Sequence, residues 1–362
     1  MIRSVNLFSV KKIIVFGFLF VCLSVIVLIS ITHYNVHQKS QLDHEMLITI
    51  KPGTSFNRFT KKLQNKNVVE TRFWLRNYIR INKQYADIKA GTYLLKPTQT
   101  LHEILAMIAK GDEHQYSITF VEGTSIKQWL ELLAKTENIV HLISKTLTNG
   151  ETNKFSVSYI NNQQKEKELR LLAKQFNIDA TSPEGYFYPD TYSFSAGDTD
   201  LAILQRAHNK MLLELDKLWL KRNPNLPYEN KHQALTMASI IEKESGKHAE
   251  QDLIASVFLN RLDKNMRLET DPTVIYGLGE RYYGDIKFKH LREVNKYNTR
   301  KIKGFPLTPI AMPGQRALEA AFFPSSSDYL YFVSNGKGEH VFSKTLKEHN
   351  LAVKQYLKTI KK

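Results

Sequence analysis

The stretch Ile13–Ile31 (IIVFGFLFVCLSVIVLISI) holds nineteen residues without a single charge. No other feature of the chain narrows its fold as far. A helix of that length spans about 28 Å, close to the ~30 Å hydrocarbon core of a bilayer. A secretory apolar region is shorter, about 7–15 residues, and ends at a small-residue cleavage site, and neither trait fits here. The expectation is an uncleaved transmembrane helix. Arg3, Lys11 and Lys12 precede the run, while His33, His37, Lys39, Asp43 and Glu45 follow it with a weaker basic bias. The positive-inside rule then puts residues 1–12 in the cytoplasm and the remaining ~330 residues beyond the membrane. The only cysteine, Cys22, lies inside the run, so the outer part is expected to carry no disulfide and no thiolate metal site. Residues 32–45 are polar and read as a tether.

The head is basic enough to make the formal net charge of the chain +16. That excess suits nucleic acid, an anionic membrane surface or an acidic polymer, or it serves solubility alone. Leu47–Ile50 reads as a strand, and Pro52–Ser55 as a turn into a helix capped by Thr54 or Ser55, with Phe56, Phe59 and Leu63 on its apolar face. A second helix over about 71–80, a strand over 90–95 and a helix over 101–109 follow, the last opened by the capping box Thr100-x-x-Glu103. The segment I-T-I-K-P-G-T-S (48–55) is echoed by I-T-F-V-E-G-T-S (118–125), which points to a second strand–turn–helix unit within an intermediate region, 111–229. Residues 136–180 are polar and uneven, with Asn149-Gly150 and Q-Q-K-E-K-E (163–168), and read as a loop and a charged helix; 201–220 reads as an amphipathic helix. The C-terminal part, 230–362, predicts helices at 231–245, 250–264 and 315–323, a hairpin over 329–343 and a basic closing helix. Asp271 is expected to cap a short helix that has Pro272 as its first residue. Helices followed by a small antiparallel element make the head α+β.

Inside the 231–245 helix stands A-S-I-I-E-K-E-S (238–245), which places Glu242 and Glu244 one residue apart. On a wheel of about 100° per residue, Ala234, Met237, Ala238 and Ile241 centre the apolar face and Lys243 faces water. Glu244 falls between Ile240 and Met237, Glu242 between Ala238 and Leu235. A carboxyl on the bulkier shoulder loses more solvent, which raises its pKa toward that of a general acid. The wheel favours Glu244 as the acid and Glu242 as an orienting or ion-pair partner, by a thin margin, because both touch the apolar face. On the next helix Arg261, near Ile254, Val257 and Phe258, needs an anionic partner: one of the glutamates, Asp271 or a substrate carboxylate. Asn260, Thr270, Asp271, Tyr276, Tyr297, Asn298 and Thr299 supply the amide, hydroxyl and aromatic groups that a sugar polymer requires, although Asp271 taken by itself reads first as a helix cap and nothing more.

The blocks A-S-I-I-E-K-E-S, V-F-L-N-R-L (257–262), M-R-L-E-T-D-P-T-V-I-Y-G-L-G (266–279), Y-N-T (297–299), P-I-A-M-P-G (309–314) and P-E-G-Y-F-Y-P-D-T-Y (183–192) resemble the endolytic murein transglycosylase family, the MltG or YceG-like proteins. The resemblance runs from about Leu47 to the C-terminus. It implies one membrane helix (13–31), a LysM-like α/β module over 46–110 and a mixed α+β catalytic domain over 230–362. It assigns the catalytic role to the second Glu of E-K-E, here Glu244. Two departures touch the shape of the groove: F-P-L-T-P-I stands where the family has a P-P-G-P-I-like loop, and Met312 replaces a polar residue.

The resemblance further implies cleavage of β-1,4 bonds between N-acetylmuramic acid and N-acetylglucosamine, leaving 1,6-anhydromuramyl ends. The sugar's own C6 hydroxyl replaces water, so one carboxyl suffices where ordinary glycosidases use two. No cofactor or metal is expected; the sequence has no H-E-x-x-H and no cysteine cluster. The implied partners are peptidoglycan strands, the membrane through one helix and, at family level, glycan-synthesising enzymes; no nucleic acid is expected. The implied location is the inner membrane with the head in the periplasm. The rival readings are a non-catalytic peptidoglycan-binding scaffold and a tethered nucleic-acid binder; the second rests on charge alone.

Overall fold

A computed structural model describes residues 7–143 and 162–359; Arg3 and Asn149-Gly150 lie outside them. The chain divides into two compact units, Met1–Tyr116 and Ser117–Lys362.

The first unit begins with helix α1 (Leu7–Val36), which outruns its apolar core at both ends. Its large apolar side chains from Ile13 to Ile31 are exposed. Among the described residues it is the one helix long and apolar enough to cross a membrane. Residues 32–45, expected from their polarity to be a tether, are instead built into the unit. The helix continues to Val36, which is fully buried in the core. The Ser40 N–H donates to the Gln99 carbonyl (2.9 Å), Gln41 to Val68 (3.1 Å), and Leu101 to Gln38 (3.2 Å). Polar side chains did not prevent this, because the backbone makes these bonds and Val36, with Leu42 packed beside the same core, supplies the apolar contact.

Strand β1 (Met46–Ile50) pairs antiparallel with β2 (Gly91–Leu95), Met46 opposite Leu95 and Ile50 opposite Gly91. Helices α2 (Phe56–Asn65) and α3 (Phe73–Ile81) lie between them in sequence, and α4 (Leu101–Lys110) comes after. Ile48, Ile50, Phe59, Leu63, Tyr93 and Ile104 fill the core. The α4 capping box closes both ways: the Thr100 N–H donates to Glu103 Oε2 (2.7 Å) and the Glu103 N–H to Thr100 Oγ1 (3.2 Å). Each half meets a backbone donor that the first helical turn leaves unpaired.

The echoed segments fold alike. Strand β3 (Gln115–Thr119) leads through a turn to α5 (Ile126–Lys135), as β1 leads to α2. In both turns the glycine is left-handed (Gly53 φ 73°, Gly123 φ 71°), a backbone that a side chain would strain. The serine two residues on caps the helix, Ser55 in one and Ser125 in the other. Helix α6 (Asn162–Gln175), strand β4 (Thr191–Ser195), which pairs with β3, and α7 (Asp200–Lys221) come next.

A boundary was expected at 229–230, but α7 shares its core with the helices beyond that point. Met211, Leu215 and Leu218 pack in one cluster with Leu235, Met237, Phe258 and Leu318. Those residues belong to helices α8 (Lys231–Glu244), α9 (Gln251–Asp263) and, after α10 (Asp271–Leu278) and α11 (Phe288–Arg292), α12 (Gln315–Phe322). The hairpin β5 (Tyr331–Ser334) and β6 (His340–Ser343) carries α13 (Leu346–Thr359) against it. The result is a mixed α+β protein. Helix α8 buries every residue from Ala234 to Ile241, so it is the central post of the bundle and meets solvent only at its two ends, at Lys231–Gln233 and in the last turn, where Lys243 is exposed.

Candidate active site

Helix α8 ends at Glu244, with Ser245 in extended conformation as the C-cap. The termination matters chemically. It brings the last side chain out of the packed bundle to a cleft of about 370 Å³, near the low end of small-molecule sites. Glu244 is half-buried there. Apolar groups of Val257, Phe258 and Leu268 share the cleft wall with it.

One hydroxyl holds the carboxyl. Thr270 occupies the N-cap position of α10, yet its side chain makes no capping bond. It donates instead to Glu244 Oε1. Thr270 is itself fixed, since its N–H donates to Thr299 Oγ1 (3.2 Å) and Thr299 Oγ1 bonds Thr273 Oγ1 (2.8 Å). Enclosure by protein pushes the Glu244 carboxyl up to about 7; the Thr270 bond opposes this, the Asp271 charge adds to it, and Arg300 opposes it.

Two further carboxylates line the cleft, and both are in ion pairs. Glu269 Oε2 lies 2.6 Å from Arg261 Nη2, and Asp271 Oδ1 lies 2.7 Å from Arg300 Nη2. Arg261, which needed an anionic partner, therefore has Glu269, along with the carbonyls of Arg267 (2.7 Å) and Leu330 (3.0 Å). Glu269 meets it from a left-handed backbone (φ 57°). Asp271 is the first residue of α10 and not its cap, one position later than expected.

Of the expected sugar-contacting residues, Arg261, Thr270 and Asp271 line the cleft with Glu244. The others do not line that cleft and are bonded within the protein. The Asn260 amide donates to the carbonyls of Ser327 (2.7 Å) and Tyr329 (3.0 Å), which holds the approach to β5. Asn298 is fully buried and donates to three carbonyls, at best 2.6 Å to Glu293. Thr299 is buried in the threonine chain under Thr270. Tyr276 Oη donates to Glu184 Oε2 (3.1 Å), and the Tyr297 hydroxyl bonds Thr308 (3.1 Å). Polar residue type alone does not separate a groove contact from a buried strut. Met312 is also fully buried, with its backbone tied to Gly123 and Thr124, so it does not form groove surface.

Glu242 does not touch the Glu244 carboxyl's partners. Its Oε2 accepts the Gly314 N–H (3.0 Å) at the start of α12, where the helix dipole favours an anion. Enclosure still raises its pKa, and the Gly314 bond opposes that.

Residues 48–355 match the YceG-like family. The chain belongs to that family. An endolytic murein transglycosylase of Bacillus subtilis (strain 168) is 34% identical over 315 residues, 86% of this chain and 84% of that one. An endolytic murein transglycosylase of Streptococcus pneumoniae serotype 2 is 24% identical over 325 residues, and the match spans 58% of its length. A crystal structure of a yceG-like protein from Listeria monocytogenes is 30% identical, covering 87% of this chain and 99% of that one, with a TM-score of 0.49.

In this YceG-like chain several cleft residues carry no signal in spacing or periodicity: Glu269, Arg300, Tyr331, Phe332 and His349. Glu269 and Arg300 adjoin the singled-out Thr270 and Thr299, so adjacency was the one available hint. Tyr331, Phe332 and His349 reach the cleft only because the hairpin folds back over α9.

Proposed function

We propose that this YceG-like protein is a membrane-anchored endolytic lytic transglycosylase of peptidoglycan, with Glu244 as its single general acid and base. The observation that carries the reading is the contrast among the cleft carboxyls. Glu269 and Asp271 are neutralised by arginines, whereas Glu244 is bonded by a neutral hydroxyl and pushed up to about 7. Glu269 and Asp271 are each held by an arginine, whereas a carboxyl poised near neutrality is a good proton donor.

With Thr270 occupying Oε1, the proton sits on Oε2, free to face the glycosidic oxygen. Donation of that proton accompanies cleavage of the bond from C1 of the N-acetylmuramyl residue. The Glu244 carboxylate then takes the proton of the same sugar's C6 hydroxyl as its oxygen bonds C1. The product is a 1,6-anhydro end, Glu244 is regenerated, and no water is consumed. General acid–base assistance of this kind is worth about 10²–10⁴ in rate.

The similarity to murein transglycosylases of two bacteria supports the substrate class. The α1 helix is proposed as the anchor, with the N-terminus cytoplasmic and the head periplasmic. Residues 46–110 are proposed as the LysM-like glycan-holding module, on the order of their strand–helix–helix–strand arrangement. Glycan-synthesising enzymes at the membrane are proposed partners. The test is muropeptide analysis of purified glycan digested by wild type, Glu244→Gln and Glu242→Gln. Anhydro ends should vanish only with the first; wild-type yield from Glu244→Gln would falsify the assignment.

A further inference from the structure

The cleft has a second end. A chain of contacts leads away from the acid: Glu244 to Thr270, the neighbouring Glu269 to Arg261, the Arg261 guanidinium over the Tyr331 ring at 5.5 Å, and Tyr331 stacked with His349 at 5.3 Å. His349 comes from α13 and lines the same cleft. Its Nδ1 is shut off from solvent and has no hydrogen-bond partner among the described residues.

Such an atom demands explanation, because nearly all buried polar atoms in folded proteins are paired. A buried bare lone pair is tolerated better than a buried unmet N–H. The favoured tautomer therefore leaves Nδ1 unprotonated and puts the proton on Nε2. Burial and the nearby Arg261 charge both lower the imidazole pKa, which keeps the ring neutral. Arg261 is already balanced by Glu269. Tyr331 and His349 both line this end of the cleft, and the pairing of Arg261 with Glu269 leaves no unbalanced charge there to attract a carboxylate.

We propose that Tyr331 and His349 form a sugar subsite at the end of the cleft away from Glu244, where His349 Nε2–H donates to an uncharged oxygen of an N-acetylhexosamine, a hydroxyl or an acetamido carbonyl. The subsite binds the strand at a sugar other than the one that reacts. It rests on the glycan-cleaving reading above and adds a determinant of how the strand is held.

The test uses the full-length protein in detergent, with Glu244→Gln present to prevent turnover and peptide-free glycan strands as the probe. His349→Phe keeps a ring against Tyr331 and removes the donor; it should weaken strand binding about fivefold, the worth of one ordinary hydrogen bond. His349→Gln keeps a donor and should recover most of that loss. In the active enzyme, His349→Phe should raise KM by a similar factor and leave kcat and its pH profile in place. A purely structural role would lower kcat and thermal stability together. Equal binding by His349→Phe and its parent, or equal losses for Phe and Gln, overturns the subsite. Failure of the Glu244→Gln parent to bind glycan at all overturns the substrate reading beneath it.

Discussion

At the scale of the residue, the fold works against the charge on Glu244. Its folded pKa of about 7 lies above the ordinary carboxyl value of 4.5. The folded state therefore binds this proton more tightly than the unfolded chain does. By linkage, stability from this group is complete below pH 4.5 and is lost as pH rises through about 7. Glu244→Gln, neutral at every pH, should have a higher Tm than wild type at pH 8 and no such advantage at pH 4, measured by calorimetry; the reverse order would remove the desolvation argument. Activity should share the direction, with kcat falling as pH rises past about 7 because the proton donor is lost. Thr270→Val deletes the one bond that both orients the carboxyl and lowers its pKa. It should cut kcat roughly ten- to a hundredfold and move the falling limb to higher pH. It should cost no helix cap, since Thr270 provides none.

At the scale of the element, two short segments set the cleft. The hairpin wall is held to the loop after Glu244 by Glu250, which accepts from the His340 N–H (3.1 Å) and meets its Nδ1 at 2.8 Å. Glu250→Gln should let that wall loosen: KM is expected to rise severalfold, with the pH of the falling limb unchanged. Glu242 ties the end of α8 to the start of α12, so Glu242→Gln should keep at least roughly a tenth of wild-type activity where Glu244→Gln falls below about a hundredth. The helices and the hairpin were legible from periodicity, caps and turn residues. The assignment of Glu244 came from the family resemblance; the wheel that favoured it by a thin margin was drawn for a helix with one wet side. That assumption fails for Ala234–Ile241, which are buried on every side, and holds for the final turn, where both acids sit. The threonine relay from Thr299 to Thr270 was invisible as such, because sequence reveals hydroxyls but not which side chains they face.

At the scale of the molecule, sequence polarity misjudged the stretch after the apolar helix. Residues 32–45 look solvated one at a time, yet Val36 is fully buried and residues 38–41 bond the backbone at Val68, Gln99 and Leu101. A chain beginning at His33 should keep the first unit's thermal transition. A chain beginning at Glu45 should lose that backbone pairing together with the ~1.5–3 kcal/mol of a buried valine, and melt earlier. Equal melting temperatures would mean that the segment is dispensable. Helix α1 enters the core of the first unit with no break before Val36. With α1 as the proposed anchor, that continuity acts as a stiff mast in place of a leash: the inclination of the helix in the bilayer becomes the inclination of the first unit, and its height above the lipid is fixed by the length of the helix.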